Sequence, residues 1–357
     1  MLINGRMCVR LLTGVLCLIL LLTLLGRVVL LLAPMLPEEW ALMYGAEDVA
    51  TTYRRAHLLA VERKLSVPLF LYTMPHRALS VSPDLRYASY SDERYQMRLF
   101  DLRRWLSFPI DRSPLIGAWS STGQFLYKEE VAEDGIFSTV YRLDMRQSAS
   151  SNSPQPTSLF QFDHAIVNDL AWSPYGQRIA YSLRYQTEQS ANVRVEDSDI
   201  YVRHISGGIV TNLSHTTIAF DALPVWSPDG SQLAFFTAEY NNFISLVDAD
   251  GENLRRRALA AGVVSHLIWS PDRRYLAFLT LNTLTFSSGI YLLAVEGESP
   301  AVELLPYASV EGGLAWSADS RELAYVSLQD GDVWAINVHT RQQRRLTQHP
   351  GEKSVVR

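Results

Sequence analysis

An eleven-residue pattern recurs six times in this chain, and a hairpin repeated at regular intervals leaves few architectures open. The pattern is plainest in VWSPDGSQLAF (225–235), where a strand ends at Trp-Ser, turns through Pro-Asp-Gly and restarts. Pro presets φ for the first central turn position, Asp bonds back to the backbone and Gly takes a positive φ without strain. Ungapped matches are SVSPDLRYASY (80–90), AWSSTGQFLYK (118–128), AWSPYGQRIAY (171–181), IWSPDRRYLAF (268–278) and AWSADSRELAY (315–325). Their second column holds Val81, Trp119, Trp172, Trp226, Trp269 and Trp316, at spacings of 38, 53, 54, 43 and 47 residues. A unit of about 40–50 residues is the size of one four-stranded propeller blade.

The rest of each unit fits that reading. A second apolar stretch follows every hairpin, among them DIYVRHIS (199–206), GIYLLAVE (289–296) and DVWAINVH (332–339), and then a polar turn and a last short strand such as QRRLTQH (343–349). A single four-stranded sheet cannot bury both its faces. Six arranged radially can, because each packs on its neighbours. The expected fold is therefore all-β, a six-bladed propeller of four-stranded blades over residues 67–357. The column of Val81 and the five tryptophans is its structural core. The segment LSVPLFLYTM (65–74) is a candidate outer strand for the last blade, a place that 343–349 also fits.

The Trp-Ser-Pro-Asp-Gly, Leu-Ala-Phe, Ile-Tyr and Asp-Ala-Asp-Gly sequence of features resembles the WD40-like (PD40) repeat of the TolB-type propellers, over roughly residues 75–349. The third to sixth units match best. The first has Val81 in place of Trp, and the second has Ser121 and Thr122 in place of Pro-Asp. The resemblance implies the fold, and a range of roles that includes binding and scaffolding. Some related propellers precede an α/β-hydrolase domain. This chain stops at Arg357, shortly after the sixth unit, and carries no Gly-x-Ser-x-Gly elbow, so a peptidase in cis is not expected.

Ahead of the repeats, residues 11–33 are apolar apart from Thr13, Thr23 and Arg27. As a helix they would rise about 34 Å, enough for a hydrocarbon core of about 30 Å. The run is long for a signal-peptide core and no small-x-small cleavage site follows it, so residues 1–34 read as a cytoplasmic tip and an uncleaved transmembrane signal anchor. Arg6 and Arg10 precede the span, whereas Glu38, Glu39, Glu47 and Asp48 follow it. The positive-inside rule then puts the amino terminus in the cytoplasm and the repeats outside, in a single-pass protein of the cell membrane. Between the two, Leu42, Ala46, Val49, Tyr53, Ala56 and Ala60 alternate at spacings of four and three. That spacing predicts a helical linker over 35–66.

The formal charge is −5, and three of the arginines lie in the amino-terminal apolar region, so the remainder is more acidic still. A nucleic-acid-binding surface is not expected. Both cysteines, Cys8 and Cys17, also lie in that region, which leaves the repeats without a disulfide. No metalloprotease, phosphate-loop or dinucleotide motif is present, and DADGEN (248–253) has too few chelating oxygens for a calcium loop. No cofactor, resident metal or catalytic residue is expected.

One constellation remains. Strand alternation places residues at odd offsets before the tryptophan column on one strand face. His76, Asp169, Asp221, His266 and Glu311 occupy those offsets and are the candidate ligand-binding residues of the channel mouth. The role expected from these features is an extracytoplasmic binding or scaffolding module, anchored by its amino-terminal segment, for a protein or peptide partner of the cell envelope or an envelope glycan. Two alternatives stand beside it: a metal-assisted lyase or hydrolase acting on a polysaccharide at the channel, and a ligand-sensing ectodomain working with a partner protein.

Overall fold

The second strand of a repeat is rich in apolar residues where neighbouring sheets cover both its faces. Gln232–Ala238 shows this: its five central residues are all buried. The fourth strand Arg255–Ala258 is short and charged, and only Arg257 in it is buried. Such an edge discourages further pairing. The computed structural model describes residues 41–356 with interruptions, of which 74–79, 186–196 and 309–312 bear on the site; for the strands within 41–73 and 353–356 it describes the backbone.

The described residues form 28 strands and no helix. Five sheets have four strands, and a sixth has eight. The eight-stranded sheet comprises two consecutive repeats, joined by one parallel bridge between Ser198 and Phe220. All pairing within a repeat is antiparallel, for example Gln232–Ala238 against Phe220–Trp226 on one side and Asn242–Asp248 on the other.

The fold is an all-β propeller, and two expectations are corrected. The six-bladed count omitted a sheet, and the described residues of the expected helical linker are strands. Residues 41–47 and 54–60, expected within the helical linker, are strands; with Leu65–Thr73 they pair antiparallel in one sheet. Lys353–Val356 completes that sheet by pairing with Ala41–Glu47, so one sheet draws on both ends of the described chain. Lys353–Val356 lies against Leu314–Trp316 and Glu322–Val326 of the preceding sheet, and Leu65–Thr73 against Tyr87–Ser91 of the following one. No described helix is long and apolar enough to cross a membrane. The apolar segment 11–33 lies outside the described residues.

The tryptophan column forms the joints between sheets. Trp226 packs with Ala180, Ile200, Val202 and Leu213 of the preceding repeat and with Leu233, Phe235 and Val247 of its own. Trp269 and Trp316 are placed in the same way one and two repeats later. Hydrogen bonds reinforce the packing. The Trp226 Nε1–H donates to the Ala171 carbonyl at 3.2 Å, and that of Trp269 to the Val225 carbonyl at 3.1 Å. Arg178 caps the Trp226 ring, its guanidinium carbon 4.7 Å from the centroid, and donates to the Gly230 carbonyl. A stacked cation of this kind adds electrostatic attraction to the ring's burial.

The serine after each tryptophan explains why the turn recurs. It is buried in all six repeats. In the fifth, the Ser270 hydroxyl donates to Asp272 at 2.6 Å and accepts from the Tyr275 amide at 2.9 Å. Ser227 and Ser317 repeat both bonds. The turn then needs one left-handed residue, supplied by Gly123, Gly176 and Gly230, but by Arg273 and Ser320 in the last two units. Those two side chains reach the turn before their own: Arg273 pairs with Asp229, and Ser320 Oγ accepts from the Asp272 amide. Desolvation pushes the Asp229 pKa up, yet bonds from Ser227 and Ser231 and the charge of Arg273 together outweigh it and hold the pKa at about 2.

Candidate functional site

The first strand of each repeat carries the candidate residues, and its shape decides where they point. Three of these strands are bulged: register shifts fall between Val167 and Asp169, Ala222 and Val225, and Val264 and His266. A bulge places two residues opposite one and changes the phase of side-chain alternation. Residues five before the tryptophan and those three before it therefore differ in environment. Val167, Asp221 and Val264, at the farther offset, are all buried. Asp169, Leu223 and His266, at the nearer one, are half-buried or exposed. In the fourth repeat the bulge costs a left-handed φ of 57° at Leu223, a conformation that L-residues adopt rarely.

Below the bulge, the face opposite the tryptophan meets the following sheet. Ala171, Val225 and Ile268, one residue before the tryptophans, pack against the next joint in each case. Asp169 follows the same rule. Its Oδ2 accepts from Ser182 at 2.8 Å within its own repeat and from the Leu223 amide of the next repeat at 3.1 Å. The carboxylate thus satisfies the backbone that the bulge would otherwise leave unpaired.

Asp221 is fully buried. Its Oδ1 accepts from Thr237 at 2.6 Å, and its Oδ2 lies 2.9 Å from Thr216 Oγ1. Thr216 Oγ1 is also 3.1 Å from Asp199 Oδ1. That oxygen further accepts from Ser214 Oγ and from the Thr216 amide, while Asp199 Oδ2 accepts from Asn212. Burial, the largest influence, raises the Asp221 pKa; the nearby hydroxyls oppose that and Asp199 adds to it. Asp197 is raised as well, by burial and then by Asp199.

His266 differs from both aspartates. Its side chain is exposed, yet surrounding protein lowers its pKa by desolvation, against an opposing contribution from the Ser265 backbone. The imidazole is therefore held neutral at neutral pH, able to donate from one nitrogen and accept at the other. Beside it, Ser265 Oγ has no hydrogen-bond partner, and Asn168 Nδ2, at the matching bulge two repeats earlier, has none either.

His76 and Glu311 lie outside the described residues. Among the three candidates that are described, Asp169 and Asp221 are bonded into the joints between repeats, and His266 faces solvent. Asp221 and His266 do not share a surface. No group of three or more His, Cys, Asp or Glu able to hold a metal occurs among the described residues. Asp221 is marked in the sequence by its offset from the tryptophan column, whereas its partners Asp199 and Thr216 carry no motif that marks them.

No family model matches the chain. A segment is 30% identical over 124 residues to dipeptidyl-peptidase 5 of Porphyromonas gingivalis, covering 32% of this chain and 17% of that protein. The chain thus matches less than a fifth of that relative's length. Among solved structures, oligogalacturonate lyase from Vibrio parahaemolyticus is similar with a TM-score of 0.64 at 12% identity, over 85% of this chain and 88% of the lyase. TolB from Acinetobacter baumannii is similar with a TM-score of 0.50 at 13% identity, over 88% and 82%. At these identities the structural likeness establishes the propeller fold.

Proposed function

We propose that this protein is a non-catalytic binding or scaffolding propeller, held at the cell membrane by residues 11–33 with its amino terminus in the cytoplasm and the repeats outside. It holds a protein or peptide partner of the envelope, or an envelope glycan. The observation that carries this reading is the division of labour among the candidates. Asp169 and Asp221 spend their hydrogen-bonding capacity on the joints between repeats, whereas His266 presents a neutral imidazole to solvent. A neutral donor and acceptor suits hydroxyl and amide groups, the polar groups of glycans and peptides.

An affinity capture from envelope extract tests it, with the detergent-solubilised full-length protein as bait. Wild type is expected to retain a discrete partner or glycan fraction. His266→Ala is expected to lose most of it while keeping the wild-type unfolding midpoint, since an exposed side chain contributes little to stability. Undiminished capture by the variant would place the binding surface elsewhere.

A further inference from the structure

The third and fourth repeats share one sheet, and the seam between them contains a proton-counting problem. Ser198 forms the single parallel bridge with Phe220. Its amide donates to the Ala219 carbonyl at 3.1 Å and its hydroxyl to the Asp221 carbonyl at 2.7 Å. Immediately beside this bridge the Thr216 hydroxyl lies within hydrogen-bond distance of two carboxylate oxygens, Asp199 Oδ1 and Asp221 Oδ2. A hydroxyl has one proton to donate. With both carboxylates ionised, one of the two contacts would set lone pair against lone pair in a buried site.

The remaining bonds say where a second proton sits. Asp199 is surrounded by donors: Ser214 Oγ, the Thr216 amide and Asn212 Nδ2 all point at it. A proton placed on Asp199 would displace one of these donors, all of which need a carboxylate lone pair. Asp221 Oδ1 is taken by Thr237, whose own oxygen is 2.7 Å from Ser245. Asp221 Oδ2 faces Thr216 Oγ1, which can accept. The order Asp221 Oδ2–H to Thr216 O–H to Asp199 Oδ1 satisfies every atom.

We propose that Asp221 carries this proton, and that its release to solvent as pH rises weakens the joint between the third and fourth repeats, making that joint a pH-sensitive element of the propeller. Among the described residues, the charged and titratable groups around it are few. Asp199 and Asp197 come from the strand Ser198–His204 and the residue before it, the exposed His215 from the following loop, and Arg184 from the adjacent strand, opposite Ser198. Gln232–Ala238 and Asn242–Asp248 contribute only the hydroxyls of Thr237 and Ser245. The buried position of Asp221, which raises its pKa, points the same way. The sign follows from linkage. The unfolded chain gives up this proton at about pH 4, the folded chain only at higher pH. Between the two the folded state binds more protons, so stability falls as pH rises.

The test is thermal unfolding of the full-length protein between about pH 4 and about pH 8, with Asp221→Asn and Asp199→Asn alongside wild type. An asparagine at 221 reproduces the protonated carboxyl, its Nδ2 donating to Thr216 and its Oδ1 accepting from Thr237. Asp221→Asn is expected to flatten the fall of the midpoint with pH, and to melt about 2 °C or more above wild type at the upper end. Asp199→Asn is expected to lower the midpoint throughout, because its amide hydrogens would meet donors. A midpoint for Asp221→Asn below wild type at the upper pH, an unchanged pH slope, or failure of that variant to fold would each overturn the proposal.

Discussion

Trp226→Ala is expected to lower the stability of the repeats by roughly 3–5 kcal/mol, the range for deleting a buried large side chain. The indole fills the joint between the third and fourth repeats, with 8% of its surface exposed. Its removal also leaves the Ala171 carbonyl without its indole donor and takes away the ring beneath Arg178. Val81 occupies the matching position in the first repeat, 4% exposed. Val81→Ala gives up only about two methylene groups and is expected to cost correspondingly less. Urea unfolding of the two variants checks this. Equal losses would contradict the equivalence of the column, since the same joint would then be indifferent to the volume removed.

Gly117→Ala is the second large effect, and its cause is a close approach and not a turn. A Cβ on Gly117 would lie 2.2 Å from Phe125 Cζ and 3.1 Å from the Leu126 carbonyl. Phe125 is fully buried, its ring 4.7 Å from Trp119 and 6.3 Å from Tyr127 between centroids. It has no free direction in which to move. Overpacking of this kind costs about 1–3 kcal/mol. Phe125→Leu, which removes the atoms in conflict, should make the double variant less unstable than the two single losses added together. Additive losses, or a neutral Gly117→Ala, would show that the close contact is not what sets the cost.

These joints were legible in the sequence because their signals are local. A buried serine that bonds to an aspartate two residues on and to an amide five residues on needs only a short motif, so each Trp-Ser turn announced its repeat. The sheet that draws on both chain ends was illegible for the opposite reason. The strand Ala41–Glu47 pairs with Lys353–Val356, at the far end of the sequence, and its own residues carry no turn motif. Leu42, Ala46, Val49, Tyr53, Ala56 and Ala60, at alternating spacings of four and three, read as a helical face, and the long-range pairing overrode that local preference. The candidate site was only partly legible, because the two-residue period assumes an unbroken strand. Pro224 within Phe220–Trp226 was the available warning, since proline inside a sheet marks an edge or a bulge. Asn168 and Ser265, at the matching bulges, carry no such mark. Nor could the sequence show that a threonine would stand between two aspartates from neighbouring repeats.

The central claim is binding without conversion, and the chemical fate of what the protein holds tests it most directly. Material captured from envelope extract by the full-length protein is incubated with fresh protein, eluted, and compared with the input by mass spectrometry. The expected result is recovery of the captured molecule unchanged, in amounts that follow His266. Its time-dependent cleavage or elimination by wild type, abolished in His266→Ala, would contradict the claim and make the same residue part of an active site.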